Sequence, residues 1–304
     1  MIDSKYRYYL FGILIESDLE ISFLDKVSDY SRKTDLSFSL NSSFVHPSDL
    51  RAKRTIFGPD YLYYMDNKEV IFKISKKGII EFKKSKNLSS TELAASLLSI
   101  PLGYFFFLKK EYVFHASAIS KKNNATCFLG HSAMGKSSIS NFFLSHNYKF
   151  ISEDLCIVDK DQKIAKSSNW IKLSDELINK NKGNFSSFLP LKNDSRFRKV
   201  CKLKDAFISK SNARVKACYI PAWDNELKIS RLENKEAFKY LFLNSYRAIN
   251  TNKKLPIYEK IFLENITNFI ENVDCFLFKR KKDMKSFEKS NEYLLNHIES
   301  NAKY

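Results

Sequence analysis

From the N-terminus to about Lys86 the apolar positions come in short aromatic and β-branched runs rather than at helical spacing. KYRYYLFGILI and, further on, YLYYMDNKEVIFKISKKGIIEFKK alternate in the manner of strands and are broken by turn signals at Asp66 with Asn67 and at Lys77 with Gly78. His46 and Pro47 fall in the polar loop between them. Residues 1–86 are therefore expected to form a small β-rich N-terminal domain without internal repeats. The segment SKNLSSTE then places Ser89 three residues before Glu92, the spacing of a capping box, and the domain boundary is set there. The run LAASLLSIPLGYFFFL (Leu93 to Leu108) contains Pro101 and Gly103 and falls short of the ~18 to 20 residues of a membrane span. It is expected to be a buried helix or pair of helices.

From Tyr112 onward strand and helix patterns intermix. YVFHASAIS reads as a strand, KKNNA as a turn and TCFLG as a second strand. After Lys136, Ile139, Phe142 and Phe143 recur at helical spacing. FISEDLCIVD reads as one further strand, and VKACYIPAW and ELKISRL as two paired strands. Asn234 is the expected cap of a helix KEAFKYLFLNSYRAI, on which Phe238, Leu241, Phe242 and Ile249 share a face. DCFLFKR is the last strand, and Asp283 to His297 the last helix. Residues 87–304 thus read as an α/β domain.

Composition narrows the partners. The 304 residues carry a net charge of +17, which favours anionic ligands. The lysines are spread along the whole chain, and the short clusters (Lys279 to Lys282, Lys83 with Lys84, Lys253 with Lys254) are the size of ordinary solvated faces, so nucleic acid is disfavoured as a partner. Five cysteines without a CxxC pair suggest reduced, buried thiols and a cytoplasmic protein, and the five histidines form no cluster that suits zinc. Lys5 and Arg7 precede the apolar YYLFGILI, but acidic Glu16 and Asp18 follow it in place of a cleavage site, so a strand is expected there rather than a signal peptide. No membrane association is expected, and the oligomeric state, a homo-oligomer included, stays open.

The chemistry concentrates between Phe114 and Asp161. GHSAMGKS (Gly130 to Ser137) matches the phosphate-loop pattern GxxxxGK[ST] in full, between an apolar strand and an amphipathic helix. Gly130, His131, Ser132, Ala133, Met134, Gly135, Lys136, Ser137 and Ser138 are the expected ATP-binding residues. The glycines let backbone N–H groups curl toward phosphate oxygens at a helix N-terminus. Lys136 is expected on the β- and γ-phosphates and the Ser137 hydroxyl on Mg²⁺. Glu153 and Asp154 follow seventeen and eighteen residues after Lys136, in the middle of an expected strand. Side by side on a strand they would face opposite ways, one to hold the metal and one to accept a proton. His115 alone reads as a satisfied core histidine. In the stretch from Lys180 to Lys199, Arg196 and Arg198 are candidate phosphate or substrate contacts, although an ordinary surface loop is the favoured reading.

The order His-Ala-Ser-Ala, strand, G-x-S-x-x-GKS, helix, acidic pair resembles the catalytic domain of HPr kinase/phosphorylase. More particularly, it resembles the smaller HPr-kinase-like peptide serine kinases of ribosomally made peptide pathways such as those of lasso peptides. The resemblance is close from Tyr112 to Asp159, looser through VKACYIPAWDNELKISRLENKEAFKYLFLNSYR to the end, and touches the opening YRYYLFGILIESD. It implies a P-loop catalytic domain of the HPr kinase/phosphoenolpyruvate carboxykinase-like type that phosphorylates a serine of a peptide or small protein with ATP and Mg²⁺. It also implies that His115, Lys136, Glu153 and Asp154 are catalytic and that Ser137 and Asp154 bind metal. Ala133 stands where the family usually has glycine, His131 where it often has an acidic residue, and Glu153 where it has the first aspartate. No counterpart of the loop associated with phosphorylase activity is visible, nor is the Lys/His metal constellation of phosphoenolpyruvate carboxykinase. A small-molecule kinase acting on a sugar or amino-acid hydroxyl, and a nucleotide-binding module without transfer activity, are the alternatives.

Overall fold

The computed structural model describes residues 5–58, 60–66, 70–83, 86–167, 169–246 and 256–301. Asn67, Lys84, Ile249, Lys253 and Lys254 lie outside the described residues, and with them parts of the expected turn, clusters and helix. The fold is mixed α/β.

The first seven strands are β1 (Tyr6–Leu10), β2 (Ile13–Ser17), β3 (Leu36–Leu40), β4 (Thr55–Phe57), β5 (Tyr61–Asp66), β6 (Val70–Ser75) and β7 (Ile79–Phe82), with the short helix α1 (Leu50–Lys53) before β4. They form one sheet in the order β1-β2-β3-β7-β6-β5-β4. Alternation drives it: in β6, Val70, Phe72 and Ile74 are buried while their neighbours are not. The helices α2 (Ser90–Leu97) and α3 (Ile100–Leu108) follow. The capping box forms as expected, with Ser89 accepting from the Glu92 N–H and the Glu92 carboxylate accepting from the Ser89 N–H. The apolar run is indeed a helix pair. By length and composition Ser90–Leu108 passes as a membrane span, but 78% of it is buried in the fold. Both helices, beyond the expected boundary at residue 86, share one hydrophobic core with the first sheet, and that core continues to Trp170 and Val200.

The strands β8 (Tyr112–Phe114), β9 (Ala116–Lys121), β10 (Asn124–Leu129), β11 (Lys149–Ser152), β12 (Cys156–Val158) and β13 (Lys163–Ile164) belong to a second sheet, and α4 (Lys136–Leu144) follows β10. A small third sheet holds β14 (Trp170–Leu173), β15 (Phe185–Pro190) and β16 (Lys199–Leu203), with α5 (Asp175–Lys180) after β14. The second sheet is completed by β17 (Ala213–Trp223), β18 (Lys228–Arg231) and β19 (Asp274–Arg280). Helices α6 (Asn234–Leu243) and α7 (Pro256–Asn272) pack on one of its faces, and α4 and α8 (Phe287–Asn301) contribute to the core on the other.

Several expected elements are corrected. YVFHASAIS is two strands, because the chain breaks at His115: β8 pairs with β12 while β9 pairs with β10 and β11. FISEDLCIVD is also two strands, since Asp154 adopts φ 62 and bends the chain between β11 and β12. β17 and β18 do not pair with each other; β19 lies between them, parallel to β17 and antiparallel to β18. Asn234 is inside α6, with extended Glu233 at the cap. The helix ends at Leu243 because Ser245 bridges to Phe114 and the Tyr246 N–H donates to Val113 O, drawing the chain alongside β8. α7 was not expected at all.

Gly103 in α3 faces the Tyr246 ring so closely that a Cβ would collide with it. Gly103→Ala is therefore expected to destabilise the protein by about 1–3 kcal/mol through overpacking. Urea unfolding would check this; an unchanged midpoint would mean that Tyr246 moves aside freely.

Candidate active site

The loop from Gly130 to Gly135 links the end of β10 to α4 by a path few side chains allow. Gly130 takes φ 155, Ala133 φ 71 and Gly135 φ 80, all left-handed. Ala133 is thus a non-glycine residue in a conformation that suits glycine, which gives a physical reason for glycine at this place in the resembled family. Lys136 opens α4, and its ammonium folds back over the loop to donate to Gly130 O at 2.5 Å and His131 O at 3.1 Å. Burial lowers the Lys136 pKa to about 8, against the opposing pull of Asp154 and Glu153.

The two carboxylates sit on the bend between β11 and β12, not within one strand. Glu153 is buried; its Oε1 accepts from Ser137 Oγ at 2.5 Å and its Oε2 from the Lys172 N–H at 3.0 Å. Asp154 turns the other way. It forms an ion pair with the Lys172 ammonium and lies 3.8 Å from His115 Nε2. The carboxylate that touches Ser137 is therefore Glu153, whereas the expected metal ligands were Ser137 and Asp154. Burial, then the neighbouring Asp154 charge, push Glu153 up to about 7. Burial would raise Asp154 too, but Lys172 and His115 more than offset it and hold Asp154 well below the ordinary carboxylate range. Burial outweighs Asp154 at His115, whose pKa is lowered, so the imidazole is neutral at pH 7. The His115 N–H donates to Asn244 O at 2.7 Å.

A cavity of about 250 Å³ opens in front of the loop. Its loop side is Ser132, Ala133, Gly135, Lys136, Ser137 and Ser138, and His115 and Asp154 face it as well. Of the expected site residues, Gly130, His131, Met134 and Glu153 do not line it. Glu153 reaches it through Ser137 and Lys172, which line it.

The far wall brings residues from the third sheet that were missed or discounted. Lys172, from β14, lines the cavity beside Asp154. Its one sequence signal is a lysine between Ile171 and Leu173 in the apolar run WIKL. Arg196 and Arg198 also line the cavity, so the segment around them is not an ordinary surface loop. Asp194 shapes it: its carboxylate accepts from the Arg196 N–H and from the Arg198 guanidinium. Among the described residues the Arg196 guanidinium has no carboxylate partner, and burial lowers its pKa somewhat.

The Ser137 hydroxyl with Glu153 beside it, and Asp154 on the same cavity, supply oxygen donors that suit a hard cation such as Mg²⁺ bound together with phosphate. Among the described residues no group of three or more His, Cys, Asp or Glu side chains holds a metal on its own, and Mg²⁺ shared with a nucleotide does not require one.

No family model matches the chain, and no curated protein matches it. Among solved structures, the chain is similar to the HPr(Ser) kinase/phosphatase from Coxiella burnetii, at 6% identity and a TM-score of 0.30 over 62% of this chain and 97% of that one. A likeness so distant does not place the chain in that family.

Two outcomes follow from this geometry. Ala133→Gly should raise stability by about 1 kcal/mol by relieving the left-handed strain, a gain readable in the urea midpoint and refuted by a loss. Glu153 holds its proton more tightly folded than unfolded, so its contribution is full below the ordinary value of 4.5 and is lost as pH rises through about 7. Glu153→Gln mimics the protonated form. Wild type is therefore expected to lose stability relative to this variant between pH 4.5 and 7 in paired unfolding curves, and a flat difference would show that Glu153 is ionised throughout.

Proposed function

We propose that the chain is an ATP-dependent kinase that transfers the γ-phosphoryl group to a serine hydroxyl of a peptide or small protein. The observation that carries this is the meeting, in one cavity, of a left-handed loop at a helix N-terminus, Lys136, an ionised Asp154 and Arg196, which has no carboxylate partner among the described residues. That combination suits phosphoryl transfer, where catalysis is mostly positioning and charge stabilisation. In this mechanism the N–H groups of the loop and of the first turn of α4 hold the phosphates. Lys136 exchanges its carbonyl partners for phosphate oxygens. Mg²⁺, when bound, offsets charge on the phosphate oxygens, and Ser137 with the carboxylate behind it would hold it. Glu153 keeps Ser137 oriented.

Asp154 takes the acceptor's proton. Its low pKa makes it a weak base in the ground state, but in a loose transition state the proton moves late, once the oxygen has begun to bond phosphorus. Lys172 keeps Asp154 ionised, and neutral His115 donates to it or to the transferring group. Arg196 meets the charge that develops on the equatorial oxygens. The positive chain, at +17, suits an acidic or extended peptide acceptor. A cytoplasmic location is part of the same reading, because the five free, buried cysteines stay reduced there.

Purified protein with Mg²⁺, γ-labelled ATP and candidate acceptors tests this. Wild type is expected to label a peptide serine. Lys136→Ala and Asp154→Asn should each cost about 10³-fold or more, and Arg196→Ala about 10²-fold, mainly in kcat. Label on a sugar or amino acid instead would assign the small-molecule alternative. Tight ATP binding without transfer, unaffected by Asp154→Asn, would make the protein a binding module.

A further inference from the structure

Arg280 ends β19 beneath the loop that cradles the phosphates in the proposal above. It is 2% exposed. Its guanidinium lies over the Trp223 ring, 4.7 Å from the centroid, with Phe278 and Phe287 beyond. One terminal nitrogen donates to Met134 O at 3.2 Å, while Nε has no partner. Among the described residues no carboxylate lies within ion-pair distance of it. Lys172, which is half-buried, by contrast has Asp154. Burial pulls Arg280 down to about 10, which still leaves it charged at neutral pH. A charge removed from water without a counter-ion is costly, so the fold carries Arg280 against its own stability.

Its direction points to its use. The peptide between Met134 and Gly135 is planar and trans, so its C=O and N–H point opposite ways. Donation from Arg280 to Met134 O draws the carbonyl down to β19 and aims the Gly135 N–H away from it, toward the side where Gly135 lines the cavity. A Cβ at Gly135 would collide with the guanidinium, so the glycine is required by close approach as well as by its φ of 80.

We infer that Arg280 is a positioning residue for the phosphate loop, whose missing counter-charge is the polyphosphate of the bound nucleotide. The inference rests on the nucleotide-binding reading of the site. Arg280 acts through the loop, by fixing one N–H and by placing a poorly screened positive charge behind the phosphates. Nucleotide binding and the burial of Arg280 are thus coupled: the cost held in the free protein is recovered when phosphate arrives.

Calorimetric titration with Mg·ADP and thermal melting, on wild type, Arg280→Gln and Arg280→Lys, tests this. The glutamine variant keeps a donor and loses the charge. It is expected to bind ADP about tenfold or more weakly while melting no lower than wild type without nucleotide. The lysine variant keeps the charge but loses the planar stack on Trp223, and should lose clearly less than about tenfold in affinity. ADP affinity unchanged in Arg280→Gln, or a lower melting temperature in it with affinity intact, would overturn the inference and make Arg280 a packing residue. If Arg280→Gln does not fold, Arg280→Lys decides: retained affinity supports the charge role and a tenfold loss overturns it. Failure of wild type to bind ADP at all would instead refute the nucleotide-binding reading, and the inference with it.

Discussion

Two adjacent carboxylates cannot both be buried and ionised in a protein interior without cations to meet them, and the structure around Glu153 and Asp154 answers that constraint. The bend at Asp154 separates the two groups, and each then needs different surroundings. Asp154 takes the Lys172 ammonium, which holds it ionised; Glu153 takes the Ser137 hydroxyl and the Lys172 N–H, partners that a carboxyl near neutrality can keep. One residue, Lys172, thus serves both carboxylates, with its side chain for one and its backbone for the other. That double use fastens β14, and with it the third sheet, to the sheet that carries the loop from Gly130 to Gly135. Arg196 and Arg198 reach the cavity because the strands that carry their segment pair in that third sheet.

The charge balance of the site follows. Lys136, Arg196 and Arg280 have no carboxylate partner among the described residues; Lys136 and Arg280 are buried and Arg196 is exposed, and desolvation lowers the pKa of each. Unpaired buried cations such as Lys136 and Arg280 are destabilising in the free protein; a bound polyphosphate, as proposed, would compensate them. The net charge of +17 is a poor guide to this. Many of the lysines that create it are solvated, some of them in surface ion pairs, whereas the cations around the cavity and the loop are few and drawn from distant parts of the chain.

What was legible in the sequence was local. The capping box at Ser89 and Glu92 and the apolar spacing of α4 are set by neighbours a few residues apart, and each appears where expected; the GHSAMGKS segment links β10 to α4. α7 was legible too, since Phe262, Ile266 and Phe269 recur at helical spacing after Pro256, but it went unread. Lys172, Arg280 and the cavity-facing side of Arg196 were beyond local reading. Their roles depend on which strands pair: β14 with β16, and β19 with β17. Pairing over such distances leaves no periodic trace, and a lysine in WIKL or an arginine ending DCFLFKR looks the same whether it meets solvent or an active site.

The two misread strands share a cause that bears on function. The expected strand through His115 divides into β8 and β9, and the expected strand through Glu153 and Asp154 into β11 and β12. These halves pair with one another across the break: β9 with β11 and β8 with β12. The two interruptions therefore lie side by side, in register, at one place in the sheet. A continuous ladder would use the backbone groups of both segments and alternate their side chains between the two faces. The paired break releases them. The His115 N–H is taken by Asn244, the Ser152 hydroxyl by Leu155 O and the Leu155 N–H by Glu153 O, so little of the freed backbone is left unsatisfied. His115 and Asp154 can then turn to the same cavity, which two regular strands would not arrange at these positions. The irregularity that defeats strand reading at these residues is the means by which the sheet gathers them, so such a failure within an otherwise well-patterned run marks a candidate site in its own right.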